Sequence, residues 1–216
     1  MIAIVDYGIG NLGSVAKAFR HAGAPTVLSA EADVLQAAEA LVLPGDGAFG
    51  ATMDEIRRRG LEPVLRAAVV RGTPLLGICI GMQVLFEESE EHGRHRGLGL
   101  LPGRVRRLGS DLVVPHMGWN GLQRVRAHPL LDGIEDDTYV YFVHSYRCEP
   151  AAAEAVLATS DYGGAFAAVV GEGNVLGVQF HPEKSQAAGL RMIRNFVHGC
   201  VRGRDAVPAR AGGERA

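Results

Sequence analysis

Four short apolar runs, at residues 2–6 (IAIVD), 25–29, 40–43 (ALVL) and 74–80, alternate with helical patterns at residues 14–21, 32–40 and 51–71, the last broken near Gly60. Such runs suit short buried strands. Strand alternating with helix at short spacing predicts an α/β fold: a three-layer, doubly wound, largely parallel sheet. Right-handed crossovers then bring the strand C-terminal ends to one edge, where sites in such sheets form. After residue 91 the pattern changes. Residues 93–103 are turn-rich, and 105–114, 139–147 and 155–160 read as strands without long helices between them. Residues 165–170 and 175–180, joined by GEGN, read as a β-hairpin, so the C-terminal half is predicted to be hairpin-rich. A last amphipathic helix is predicted over about 187–201. From residue 202 onward Arg, Ala, Gly and Pro follow with no apolar period, which predicts a disordered tail after one domain, residues 1–201.

Composition narrows the classes. With 216 residues and 47% hydrophobic content the chain is large enough to bury a full core. A formal net charge of -2 gives no global attraction to nucleic acid, and none is expected as a partner. No run approaches the ~20 apolar residues of a membrane span, so no membrane partner is expected either. Asp6 interrupts the first apolar run, which argues against a signal peptide. Cys79, Cys148 and Cys200 are odd in number and form no CxxC, which suits a reducing cytoplasm rather than a disulfide framework. Lys17 and Lys184 are the only lysines, which draws attention to Lys184.

The chemistry centres on residues 73–91, TPLLGICIGMQVLFEESEE. An apolar strand breaks at Gly77-Ile78-Cys79-Ile80-Gly81, and Met82, Leu85 and Phe86 then recur at helical spacing. Strand, sharp turn and helix, with small residues two positions either side of Cys79, fit a nucleophile elbow. A helix N-terminus there favours the thiolate, the form that attacks. The bland alternative is a buried cysteine at the end of a core strand. His181-Pro182-Glu183 follows the hairpin strand, so the imidazole can reach the same sheet edge and the carboxylate can hold its tautomer. Alone, the pair reads as a surface loop or a helix cap; with His116 or His144 it could ligate a metal, but no tight ligand spacing supports that and no metal is expected. Oxyanion donors are sought in the N–H of Ile80 and in the PGDG turn at residues 44–47, which on its own is an ordinary strand-to-helix turn. Residues 8–13 spell GIGNLG between a strand and a helix, with Glu31 beyond, which opens a dinucleotide-binding alternative. That alternative explains neither the elbow nor HPE, so no cofactor is expected.

GICIGMQ, PGDGAFG and GVQFHPEKS together resemble the class I glutamine amidotransferases. DYGIGNL, FEESEE, GLGLLPG, PHMGWN, YFVHSY and HPEKS narrow the resemblance to the glutaminase subunits of imidazole glycerol phosphate synthases, over residues 2–200 or so. The resemblance implies Cys79 as nucleophile, His181 as acid and base, and Glu183 as its partner. It implies oxyanion donors at Asp46 and Ile80, and glutamine binding by Gln83 and the backbone around Gly47, Ser145 and Tyr146. Trp119, Asn120, Tyr141 and Lys184 are implied to face a partner, a (β/α)₈-barrel cyclase that receives ammonia in a step of histidine biosynthesis; core packing is the alternative for Trp119. Asp46 departs from the family's PGVG, and its charge beside a developing oxyanion is the one discordant feature. Two other functions stay open at this level: a non-catalytic binding module of the same fold, and a glutaminase serving another acceptor.

Overall fold

The computed structural model describes residues 1–202; the predicted tail lies, beyond Arg202, outside them. Strands β1 (Ile2–Val5), β2 (Thr26–Ser29), β3 (Ala40–Leu43) and β4 (Leu75–Ile78) alternate with helices α1 (Leu12–His21), α2 (Ala32–Ala37), α3 (Phe49–Arg58) and α4 (Leu61–Val70). The predicted break falls at Gly60, which adopts φ 66 between α3 and α4. After the single-turn helix α5 (Ile80–Gln83) come β5 (Phe86–Ser89), β6 (His95–Arg96), β7 (Leu101–Arg107), β8 (His116–Arg124), β9 (Thr138–His144), β10 (Tyr146–Pro150), β11 (Val156–Asp161), β12 (Ala165–Glu172) and β13 (Val175–Val178). Helix α6 (Gln186–Asn195) continues as a π-helical turn, Phe196–Val201.

A nine-stranded sheet runs in the order β2-β1-β3-β4-β13-β12-β11-β8-β9. Its first five strands are mutually parallel and the remainder pair antiparallel. It is therefore a mixed sheet, parallel where the α/β alternation predicts and hairpin-built where the C-terminal half predicts. β1, β3, β4 and β13 are buried at every position, as strands covered on both faces must be. One helix group holds α1 and α6, with Phe19 edge-on to Phe196 at 6.2 Å; the other holds α2, α3 and α4. A second, four-stranded sheet, β10-β7-β5-β6, carries surface ion pairs such as Arg106–Glu90 at 3.3 Å.

The helix predicted after the elbow is a single turn, and FEES is strand β5. The carbonyls of Val84 and Leu85, which a longer helix would use, instead accept from the N–H groups of Leu98, Leu100 and Leu101. Pairing across the chain thus overrides local periodicity. The acidic residues there hold backbone: Glu87 accepts from Gly103 N–H at 2.9 Å, Glu90 from Arg107 N–H at 3.0 Å, and the buried Glu91 from Phe49 N–H at 2.5 Å, at the start of α3. β8, which begins at the His116 of PHMGWN, has no counterpart in the sequence reading. The strand expected over 105–114 ends at Arg107, where Leu108 N–H bonds Ser145 O and the chain turns through Gly109.

Candidate active site

Strand β4 ends by feeding Cys79 N–H to Val178 O of β13 at 2.8 Å. The next step of the chain must turn sharply upward into α5. Cys79 adopts φ 55, ψ -113, a conformation costly for a side chain with a Cβ and held only by its surroundings. Those surroundings are two close approaches. A Cβ on Gly81 would meet Leu43 O at 1.8 Å, and one on Gly45 would meet Gly81 N at 2.5 Å. The elbow and the PGDG turn therefore touch backbone to backbone. Gly77 and Gly177 lie side by side in β4 and β13, leaving the trough in which α5 rests.

His181 enters from the end of β13. Its N–H donates to Tyr141 O of β9 at 2.9 Å, and Ser185 Oγ donates to its carbonyl at 2.7 Å while accepting from Tyr141 N–H at 3.0 Å. Its Nδ1 lies 2.8 Å from Glu183 Oε1, both side chains almost wholly buried. With Nδ1 donating to the carboxylate, Nε2 is turned to the elbow, and it forms no hydrogen bond. Burial alone lowers the imidazole pKa, but the Cys79 sulfur and the Glu183 carboxylate outweigh it and raise the value to about 10. Both neighbours favour the protonated ring. The sequence reading brought Cys79, His181 and Glu183 to one sheet edge, and the structure brings them there.

The other expected site residues are placed less uniformly. The N–H groups of Ile80 and Asp46 have no acceptor among the described residues. The Asp46 carboxylate is not simply turned to solvent: Oδ2 accepts from Asn11 N–H at 3.0 Å, and Oδ1 stands 3.9 Å from His181 Nε2. Gly47 adopts φ 91 beside it. Gln83 is buried, its Nε2 donating to Tyr146 O at 3.1 Å and its Oε1 left without a partner. Ser145 bends the chain between β9 and β10, its carbonyl accepting from Leu108. On the other face of β8 and β9, Trp119 packs edge-on to Tyr141 at 6.0 Å and stands exposed with Met117 and Tyr139. Lys184 is exposed as well. Asn120, one residue from Trp119, points inward to His116 and Asp161.

In the GIGNLG loop the backbone N–H groups of Gly8 and Asn11 are already taken by carboxylates of this chain. Asp6 accepts from Gly8 N–H at 2.9 Å, Asp46 occupies the anion position at the start of α1, and Arg59 crowds Gly8. Among the described residues no group of three or more His, Cys, Asp and Glu stands together as metal ligands, and His116 and His144 bond each other instead, at 2.9 Å. No helix among them is long and apolar enough to cross a membrane. Sequence reasoning missed Ser185 and Gln179. The signal for Gln179 was a polar residue in the apolar run VLGVQF, where burial demands a partner.

A family model described as glutamine amidotransferase class-I matches residues 3–200. The imidazole glycerol phosphate synthase subunit HisH of Salinibacter ruber is 52% identical over 204 residues, 91% of this chain and 94% of that protein. The subunit of the same name from Geobacillus thermodenitrificans is 51% identical over 211 residues, 95% and 98% of the two chains. Among solved structures, a glutamine amidotransferase aligns with a TM-score of 0.73 at 22% identity, over 92% of this chain and 98% of that one. PurLQS from Thermotoga maritima aligns at 0.75 and 19%, over 92% and 97%; at such identities the likeness is one of fold.

Proposed function

Because the chain belongs to the class I glutamine amidotransferases, with relatives named as HisH subunits over nearly its whole length, we propose that it is the glutaminase of an imidazole glycerol phosphate synthase and that Cys79, His181 and Glu183 carry the hydrolysis. The observation that carries the residue assignment is the strained Cys79 elbow at the sheet edge where His181 Nδ1 lies 2.8 Å from Glu183 Oε1.

The Cys79 thiolate attacks the side-chain amide carbon of glutamine, forming a C–S bond and a tetrahedral oxyanion. The N–H groups of Ile80 and Asp46 are the donors for that charge, and each such donor is worth ~10²–10³ in rate. As the C–N bond breaks, His181 Nε2 gives its proton to the leaving nitrogen, releasing ammonia and a thioester. Water then attacks the thioester, the now neutral His181 takes its proton, and the C–S bond breaks to give glutamate. Gln83, Gly47, Ser145 and Tyr146 surround the glutamine. Ammonia passes to a partner cyclase of (β/α)₈-barrel fold, docked on the face that holds Trp119, Tyr141 and Lys184, with Asn120 behind it. There it is combined with a ribulosyl aminoimidazole carboxamide ribonucleotide.

The test is glutamate release by the chain alone and mixed with the matching cyclase and its ribonucleotide. Turnover that needs the mixture and vanishes in Cys79→Ala, while ammonia-dependent synthesis survives, is the expected result. Glutamine turnover that persists in Cys79→Ala overturns the assignment of the nucleophile. Turnover indifferent to the cyclase overturns the assignment of the partner.

A further inference from the structure

Two backbone carbonyls fix the direction of a long buried hydrogen-bond chain. A carbonyl only accepts, so each side chain bonded to one must present its donor. Tyr146 O receives Gln83 Nε2 at 3.1 Å, and the second hydrogen of that nitrogen goes to Gln179 Oε1 at 3.0 Å. The remaining end of Gln179, its Nε2, then lies 3.8 Å from Cys79 Sγ, as a donor. The other lone pair of Tyr146 O is taken by His144 Nδ1 at 2.8 Å. His144 Nε2 must therefore accept, and it does so from His116 Nδ1 at 2.9 Å. His116 Nε2 accepts in turn from Asn120 Nδ2 at 3.3 Å, whose orientation is set by Asp161 O at 2.7 Å and by Gly121 N–H at 2.8 Å. Every tautomer and amide orientation in the chain follows from these two carbonyls, Tyr146 O and Asp161 O.

We propose that Gln179 is a positioning residue for the nucleophile, its amide held by Gln83 and the Tyr146 carbonyl so that Nε2 donates to the Cys79 sulfur. The inference rests on Cys79 being the nucleophile, as proposed above. The sulfur has two neutral neighbours of opposite kind. Val143 O, at 3.8 Å, can bond only the protonated thiol; Gln179 Nε2 can bond a thiolate. The amide thus favours the attacking form and aims its lone pair, without adding a charge that would have to be neutralised later. Gln179 is completely buried and its Oε1 is spent on Gln83, so the side chain cannot swing aside to release the sulfur.

The test is the pH dependence of Cys79 alkylation by iodoacetamide in the complex with the cyclase, followed on the Cys79 peptide so that Cys148 and Cys200 do not contribute. Gln179→Met keeps the length and removes the donor. Gln179→Glu keeps the acceptor for Gln83 and sets a carboxylate beside the sulfur. The alkylation midpoint is expected to rise by about one pH unit in Gln179→Met and further in Gln179→Glu, so that alkylation at neutral pH falls about ten-fold or more. A merely structural role would lower the melting temperature and leave the midpoint unmoved, and an unmoved midpoint in whichever variant folds overturns the proposal. Glutamine turnover by Cys79→Ser at the wild-type rate would overturn the nucleophile and this inference with it, whereas the unmoved midpoint overturns this inference alone.

Discussion

The two halves of the large sheet treat buried polarity in opposite ways. In the parallel half, β1, β3, β4 and β13 carry only apolar residues and glycine along their length. Polar chemistry begins where those strands end, at Asp46, Cys79 and His181. The antiparallel half buries its polar groups within the strands: His116, His144 and Ser160 are all inside and all hydrogen-bonded. Thr26 Oγ1 in β2 and Thr52 Oγ1 in α3 are buried without partners, and at the strand ends so are His181 Nε2, Glu183 Oε2 and Gln83 Oε1. Leaving such groups unpaired costs about 1–3 kcal/mol each, a cost that makes sense where a substrate will complete the pairing. The histidines mark the contrast most clearly. His181 is raised to about 10 by the Cys79 sulfur and the Glu183 carboxylate, while burial lowers His144 to about 4.

The largest expected effect tests how rigid the parallel half is. In Gly81→Ala the new methyl would overlap the Leu43 carbonyl, which is backbone and cannot move without taking β3 with it. We expect a loss of more than ~3 kcal/mol in urea denaturation, and no glutaminase in whatever folds. Gly171→Ala in β12 is the matched control. Its nearest neighbours are the methyls of Leu176 and Leu157, at 2.7 and 2.8 Å, which can rotate. A loss below ~2 kcal/mol is expected there, and equal losses at the two positions would erase the distinction.

Next in size is the charge on His181. In the proposed mechanism the ring carries the proton that leaves with ammonia, so glutamine-dependent kcat/KM should hold through neutral pH and fall as pH approaches about 10. Glu183→Gln removes one cause of the elevation. Its alkaline limb should move down by at least ~1 pH unit and kcat should fall ~10²-fold or more. A limb that stays where it was would mean that another group carries the proton. The same shift bears on stability. A histidine whose folded pKa exceeds its unfolded value of ~6.5 stabilises fully below that value, and the contribution is lost as pH rises toward the folded one.

His144 predicts the reverse slope in the other half. Its folded pKa lies below its unfolded one, so between about 4 and ~6.5 the unfolded chain binds the extra proton and acid destabilises the fold. The unfolding free energy from urea denaturation should climb across that window by up to ~1.4 kcal/mol per pH unit from this group. His144→Gln should flatten the climb. An unchanged slope would assign acid sensitivity to other groups and leave the buried pair without its expected signature.

These contrasts also explain what was legible in the sequence. Strands of the parallel half are short and mostly apolar, with Pro25, Pro44 and Pro74 bounding β2, β3 and β4, so residues 40–43 and the break at Gly60 could be read directly. The shared sheet edge of Cys79 and His181 was readable because both sit just past strand ends, where topology alone brings them together. β8 was not readable. HMGWNGLQR alternates too weakly, since Gly118 and Gly121 interrupt it and His116 counts as polar although it is buried against Phe142 and Tyr162. β5 was misread because Leu85 and Phe86 fit a helical period, and only Leu98, Leu100 and Leu101, twelve or more residues on, claim the carbonyls that end the helix. Gln179 and Ser185 act through backbone and side-chain partners that are remote in sequence, and no local pattern announces them.

The smallest expected effect concerns Asp46, the residue at which the two treatments of polarity meet. Its carboxylate is half-exposed, bonds Asn11 N–H, and stands 3.9 Å from His181 Nε2, so it faces the proton donor from the side opposite Glu183. In the resting protein an anion there favours the imidazolium. Once the tetrahedral intermediate forms, the same charge opposes the oxyanion that the Asp46 N–H is proposed to stabilise. At such exposure solvent screens both effects, so neither is large. Asp46→Asn keeps an oxygen for Asn11 N–H and removes the charge, which separates the scaffold role from the electrostatic one. We expect glutamine-dependent kcat to rise, by less than ~10-fold, with thermal stability unchanged. A fall in kcat with the fold intact would show that the carboxylate's hold on His181 outweighs its repulsion of the oxyanion. Asp46 would then belong to the charge balance of the imidazole rather than stand against it.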